Sequence, residues 1–294
     1  MGKKDILLKD YFTPERFADA INAIIFKGER VLEPAKIKPG SIETYCVENE
    51  TDKTTVNHRF RDSIKVAEFS NAVYCLMAIE HESKQDTLMV LRILEYDVRE
   101  YFRQIRENGN KKKLKPVITV VMYWKDNKWT QPKSLREMFD KNVTNYLEKY
   151  GFGDYIPDYR MHLFTPESAT QEELNYFTTD LKDVIAYVKY SSDKDKLQQY
   201  AEDNNTVLNR ESVTVINALT GSNLKIEEGK ENVIMCEALT QIKAEGREIG
   251  RQEGSVIGFI AACREFGKTD EEIIELVTKK YEISREEVGK LMKE

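Results

Sequence analysis

The chain has 294 residues, 40% hydrophobic and 33% charged, enough for one or two domains with a real core but without the run of about 18 apolar residues that marks a membrane span. Its net charge of -6 and pI near 5.5 exclude a protein that coats nucleic acid by neutralising phosphates, though not a carboxylate cluster whose local charge changes once a divalent ion joins it. Four scattered cysteines (Cys46, Cys75, Cys236, Cys263) without metal-knuckle spacing, and a polar N-terminus without a secretory leader, predict a reducing, cytoplasmic setting.

Thr13 as N-cap, Pro14 at the first helical position and the Phe12–Phe17 staple predict an opening helix that Gly28 ends. Its apolar stripe is Phe17, Ile21, Ile24 and Ile25, with Asp19 and Asn22 together on a polar face. Residues 41–49 and 59–69 read as a strand pair joined by the polar turn region 50–57, and the two-residue period sets Phe60, Asp62, Ile64 and Val66 on one face. Residues 72–79, with no polar interruption, read as a strand covered on both faces, where Cys75 would be a small buried thiol. From Gln85 to about Asn108 the pattern is helical, with Leu88, Leu91, Val98 and Phe102 in one stripe that Glu95 interrupts; Gly109 and the lysine run 111–115, read as a solvated loop, close it. Residues 116–124 predict a second apolar strand and 160–166 a short one, and the capping box Thr170/Glu173 starts a helix to about Tyr190. Beyond Ser191 the chain reads as all helix, with an arginine-glycine-acid near-repeat at 245–254 and two short helices capped at Thr269/Glu272 and Ser284/Glu287. The expected division is therefore an α/β domain with a mixed sheet over 1–190 and a helical region over 191–294.

An aspartate in phase with apolar neighbours is unusual, because carboxylates rarely turn inward without a partner. Hydrolysis of a phosphodiester needs a hard divalent ion such as Mg2+ or Mn2+, and carboxylates at the ends of adjacent strands are an economical way to hold one. Asp62 comes from one strand, Glu80 from the end of the next, and Glu82 lies two residues on, roughly 6.5 Å along an extended strand. The backbone carbonyl of His81 would lie between them as a further ligand, while its ring would point to the opposite side and be structural. By themselves these acids read more readily as the polar exit of a buried strand.

The segments RDSIK (61–65), IEHES (79–83), MVLRILEYD (89–97), YFRQI (101–105), PVITVVMYW (116–124) and KWTQPKSLREMF (128–139) together resemble one family. It is the recombination-promoting nuclease family, also labelled YhgA-like putative transposase, of the PD-(D/E)XK nuclease superfamily; the resemblance covers roughly residues 5–190. It implies a restriction-endonuclease-like αβββαβ core, metal-dependent cleavage of DNA, and a role in recombination or mobile-element biology. Asp62 and Glu80 match the motif acids, and Asp19 falls near an additional helix acid that many such nucleases keep as a metal ligand. Tyr101 and Gln104, sharing a helix face with Asp97, would resemble residues that contact phosphate or water.

One departure stands out: the superfamily has lysine, and this family usually glutamine, where this chain has Glu82. A carboxylate cannot stabilise a developing phosphate anion as an ammonium can, so a cation is expected from elsewhere, with Arg92 a better candidate than the odd-phase Lys65. The alternative is a nuclease-like module that binds DNA or protein without turnover. The C-terminal helices have a helix-turn-helix outline, but their acids sit where a recognition helix would meet phosphate. Protein–protein contact or self-association is the expected use of that tail.

Overall fold

The computed structural model describes residues 3–39, 43–50, 53–60, 63–69, 73–82, 84–108 and 113–292, with side chains over 6–37, 81–82, 84–107 and 113–292. The chain forms two compact units that divide between Val233 and Ile234, not near residue 190.

The first unit opens on a helix the sequence pattern does not announce, α1 (Lys3–Tyr11), followed by α2 (Pro14–Ile24). Thr13 caps α2 through its side chain, Pro14 stands at the first position, and the staple residues Phe12 and Phe17 are both buried. The supposed polar face of α2 is buried too. Asn22 exchanges two hydrogen bonds with the Leu32 backbone (2.9 and 2.8 Å), and Asp19 is 2% exposed. Gly28, at φ +89°, ends the turn after α2 where an added Cβ would stand 2.9 Å from the ring of Tyr176, so only glycine fits.

Strands follow as β1 (Ile37–Pro39), β2 (Glu43–Glu50), β3 (Lys53–Phe60), β4 (Ser63–Phe69) and β5 (Val73–Glu82). The stretch 59–69, expected as one strand, is divided: β3 pairs with β2 in a separate antiparallel hairpin, and β4 joins the main sheet. Most of the expected turn region 50–57 is therefore strand. Asp62, and the side chains of Phe60, Ile64 and Val66 expected to share a face with it, lie outside the described residues.

After β5 come α3 (Met89–Asn108) and β6 (Val117–Tyr123), then a long connection containing α4 (Lys141–Lys149), then β7 (His162–Phe164). The sheet order is β1-β4-β5-β6-β7, antiparallel from β1 to β5 and parallel from β5 to β7. This mixed α/β architecture is the class the alternation of elements implies. The parallel step from β5 to β6 needs a crossover, and α3 supplies it.

The face that α3 turns inward is not the predicted one. Leu88, Leu91, Val98 and Phe102 are exposed, Phe102 at 59%, while Met89, Val90 and Ile93 enter a core with Val121, Tyr123, Trp129 and Met161. Further along, the inward face is polar, because its groups find partners across the fold. Asp97 accepts hydrogen bonds from Thr119 Oγ1 (2.8 Å) and Tyr159, while the buried Glu100 is paired within α3 itself, with Arg103 (2.7 Å).

The helix expected over 170–190 is two helices, α5 (Gln171–Asn175), with the Thr170/Glu173 capping box formed, and α6 (Leu181–Tyr190). They part where Asp19 reaches in from α2. Its carboxylate accepts from the amides and hydroxyls of both Thr178 and Thr179 at 2.7–3.1 Å and pairs with Arg30 at 2.8 Å. Next to it, Arg16 grips Asp180 with two bonds of 2.7 Å and Glu211 with one of 2.6 Å. Helix α7 (Lys194–Asp203), strand β8 (Val207–Asn209), helix α8 (Arg210–Thr220) and strand β9 (Asn232–Ile234) follow. The β8–β9 ladder breaks the expected all-helical run. Because α8 packs on α1 and α6, and its Ser212 hydroxyl meets Asp180 at 2.8 Å, α7 and α8 belong to the first unit. That packing moves the boundary past residue 190.

The second unit is α9 (Met235–Glu265), α10 (Asp270–Tyr281) and α11 (Arg285–Leu291), with both expected capping boxes formed. Its core gathers Val256, Ile260, Cys263, Ile273, Val277 and Val288. The near-repeat 245–254 lies within the long helix α9, whose residues 246–255 are exposed all round.

Asp19→Ala should lower stability by about 3–5 kcal/mol, the usual cost of breaking a buried, hydrogen-bonded charge, read as a lower denaturant midpoint at unchanged slope. Burial alone would raise the Asp19 pKa, but hydrogen bonds from Thr179, Arg30 and Thr178 outweigh it and hold the carboxyl below its ordinary 3.8. Its contribution is therefore present above that value and lost as pH falls below it. Asp19→Asn should show a shallower acid limb below pH 4 than the parent chain.

Candidate functional site

The C-terminal ends of β5 and β6 lie side by side, with Glu80 in register with Val121, His81 with Met122 and Glu82 with Tyr123. The Trp124 amide donates to the Glu82 carbonyl (2.8 Å), carrying the ladder one residue further. Extension thus continues through Glu82, as the expected spacing of the two glutamates requires. On the other side, Ser63, which follows Asp62, pairs with Ile79, which precedes Glu80. The positions flanking two of the predicted acids therefore meet across β4 and β5. Asp62 and the side chain of Glu80 are outside the described residues.

His81 is structural, as its odd phase implies. Its ring is buried, 4.6 Å from the Phe12 ring centroid, and its Nδ1 accepts a hydrogen bond from Trp124 Nε1 at 3.1 Å. Burial pushes its pKa down to about 3, so the imidazole is neutral at ordinary pH. Phe12, from the turn between α1 and α2, thereby packs directly beneath the strand end that carries Glu82.

Glu82 has an intramolecular counter-ion. Arg92 Nη1, from the first turns of α3, lies 3.0 Å from a Glu82 oxygen and 2.8 Å from Asp86. Burial disfavours the Arg92 charge, but the hydrogen bond to Asp86 outweighs it and the guanidinium is held more firmly protonated than usual. Arg92, the cation expected to serve the site, therefore stands against Glu82. A cleft of about 440 Å³ opens beside it, lined by Asp86, Leu88, Leu91, Arg92, Glu95 and Tyr96. Asp86 is the member the sequence reading missed; its place just before the helix, accepting from the Leu88 amide at 2.8 Å, is an N-terminal capping signal.

Three other expected site residues are engaged elsewhere. Asp19 has both oxygens filled by Thr178, Thr179 and Arg30, so it anchors the fold in place of binding metal. Gln104 exchanges two hydrogen bonds with the Lys115 backbone (3.1 and 2.7 Å), and the Tyr101 hydroxyl accepts from the Val117 amide at 3.3 Å. Both hold the N-terminal start of β6. The Glu80 register position, Val121, is four residues on, roughly 13 Å away along a strand. They therefore brace α3 against the sheet instead of contacting phosphate or water. Among the described residues, no three His, Cys, Asp or Glu side chains come together as a metal site, and no helix is long and apolar enough to cross a membrane.

A family model described as "putative transposase, YhgA-like" matches residues 44–214, more than half of the chain, from within β2 into α8. No curated protein and no solved structure gives a significant match.

The buried His81 supplies a pH signature. The unfolded chain binds a proton near pH 6.5 that the folded chain refuses until about pH 3. Stability should therefore fall as pH drops through that window, by at most about 1.4 kcal/mol per pH unit for one group. His81→Phe should flatten denaturation midpoints between pH 6 and 4, and Trp124→Phe, which removes a buried donor, should cost about 1–3 kcal/mol at neutral pH.

Proposed function

The chain belongs to the YhgA-like putative transposase family, and from that premise we propose that it is a metal-dependent DNA endonuclease with a PD-(D/E)XK, restriction-endonuclease-like core. The observation that carries this reading is the pairing of Ser63 with Ile79, one residue from Asp62 and Glu80 respectively, at the strand end where Glu82 meets Arg92. Two carboxylates, each adjoining one of these paired positions, would be an oxygen-rich donor set suited to Mg2+ or Mn2+. A divalent ion held by Asp62 and Glu80, with the His81 carbonyl as a further ligand, would supply positive charge against the phosphate.

The chain's own contribution is cationic and positional. Arg92 replaces the missing lysine, and its five donors can meet a phosphate oxygen as well as Glu82. Asp86 and Glu82 hold the guanidinium in place before DNA arrives, so little side-chain entropy remains to be lost. Neutral, buried His81 fixes the strand end and takes no part in proton transfer. Self-association through the C-terminal helices is part of the same reading, as is action on DNA in recombination.

A second reading, a nuclease-like module that binds without turnover, is favoured by one observation: Glu82 occupies Arg92, so the substituted residue and its replacement cation partly neutralise each other. Nicking of supercoiled duplex DNA in Mg2+ or Mn2+ separates the two. Asp62→Ala and Glu80→Ala should each lower the rate by a hundredfold or more, with unchanged denaturation midpoints. Arg92→Ala should lower the rate while leaving divalent-ion binding in place. Equal nicking by the parent and both acid variants would remove the site assignment, and divalent-ion binding without cleavage would leave the second reading standing.

A further inference from the structure

The connection from β6 to β7 leaves the sheet at the strand end that carries Glu82 and contains a feature that the nuclease site does not use. Helix α4 is amphipathic yet has no buried residue. Phe139, Val143, Tyr146 and Tyr150 follow the i, i+4, i+7, i+11 spacing of a stripe that normally faces a core, and all four are exposed. Just beyond, Phe152 and Tyr155 are exposed as well, Tyr155 at 81%. Seven aromatic side chains are exposed among the described residues, and five of them fall within 139–155. Four of the five stand in two tilted pairs: Tyr146–Tyr150, with ring centroids 4.8 Å apart and planes at 51°, and Phe152–Tyr155, at 5.9 Å and 44°.

The charges around these rings are sorted. Arg136 takes Glu148, Arg160 takes Asp158, Asp140 caps the start of α4, and Glu137 accepts from the Lys133 amide. Exposed Lys133, Lys141 and Lys149 make no ion pair among the described residues, and Lys149 lies 5.7 Å from the ring of Tyr150. The segment thus presents ring faces interleaved with three uncommitted ammonium groups against an exposed carboxylate, Asp154, that makes no ion pair among the described residues. An apolar protein groove laid over the stripe would desolvate those lysines without a counter-charge, whereas a nucleic-acid strand brings one phosphate per nucleotide and a π-face on every base.

We propose that this aromatic connection is a stacking platform for single-stranded DNA, holding unpaired nucleotides along residues 139–155. The proposal rests on the reading of the chain as a DNA-processing protein, and it names the form of DNA that the chain holds. Unpaired bases stack on the Tyr146–Tyr150 and Phe152–Tyr155 pairs, and the three lysines meet the backbone. Recognition of this kind tolerates any sequence, because it reads ring faces and phosphates and not base edges.

Fluorescence anisotropy of the full chain with a labelled oligo(dT) strand and with a blunt duplex of equal length, both in EDTA, tests this. EDTA removes cleavage from the readout, so failure to nick DNA and failure to bind a single strand are separate results. Oligo(dT) should bind more tightly than the duplex. Tyr146→Ala combined with Tyr150→Ala should weaken oligo(dT) binding about tenfold or more, while the matching pair of Tyr→Phe changes should keep it, since the ring faces remain. Lys149→Gln should reduce the salt dependence of oligo(dT) binding by about one phosphate contact. Equal oligo(dT) affinity in the alanine pair and the parent, or no preference for the single strand, would overturn the proposal. A change in oligomeric mass in the alanine pair at unaltered oligo(dT) affinity would also overturn it and assign the surface to protein contact.

Discussion

Two charged side chains on α2 hold the first unit together over great chain distances. Asp19 fixes Thr178 and Thr179, 159 and 160 residues away, and Arg16 fixes Asp180 and Glu211, 164 and 195 residues away. Such groups leave water only when every lone pair and donor is matched. Here the matching is dense: Asp180 also accepts from Ser212 and Asn209, and the Arg16 guanidinium covers the Tyr11 ring at 3.9 Å. The clasp sets where α6 begins, where α8 lies against α1, and where Phe12 enters beneath β5. Position at the candidate site thus depends on charges that never touch it.

The strand ends above Phe12 show a division of labour. Trp124 and His81 bury an aromatic hydrogen bond that fixes the ends of β5 and β6 relative to each other. One residue later the same strand presents Glu82, half-buried, to Arg92 and Asp86. A rigid apolar floor with a small polar cluster at its rim is the usual economy of a pocket, since the floor resists the strain of holding like charges close.

Much of this was legible in the sequence, for reasons that differ by element. The capping boxes at Thr170, Thr269 and Ser284 and the Thr13–Pro14 start are local chemistry, and local chemistry survives folding. The apolar run of β6 had nowhere to go but the interior. By contrast, periodicity could not show that 59–69 serves two sheets, because a two-residue period assigns faces and not partners. The inward face of α3 was unreadable because Asp97 and Gln104 look solvent-facing until Thr119, Tyr159 and Lys115 are folded against them. The break between α5 and α6 was equally hidden, since its cause lies on α2. At the site, the acids and Arg92 could be picked out by residue type and resemblance. The contact of Arg92 with Glu82 needed the turn before α3, and that turn is set by Asp86.

The hairpin of β2 and β3 has a bearing on how such a chain can vary. Its flanking strands, β1 and β4, are hydrogen-bonded neighbours, with Ile37 opposite Ala67 and Pro39 opposite Lys65. The excursion between them begins and ends at one edge of the sheet. Closing a loop whose ends are already adjacent costs only about 0.6 kcal/mol for each doubling of its length, so this arm can lengthen, shorten or be exchanged at small expense. Immediately after it the freedom ends. Within β4 (Ser63–Phe69), or within β5 before Glu80, an insertion would shift the β4–β5 register and, with it, which residues arrive at the strand end. Tolerance and intolerance to indels thus meet within a few residues, and a survey of natural length variants should find its variation on the hairpin side of that line.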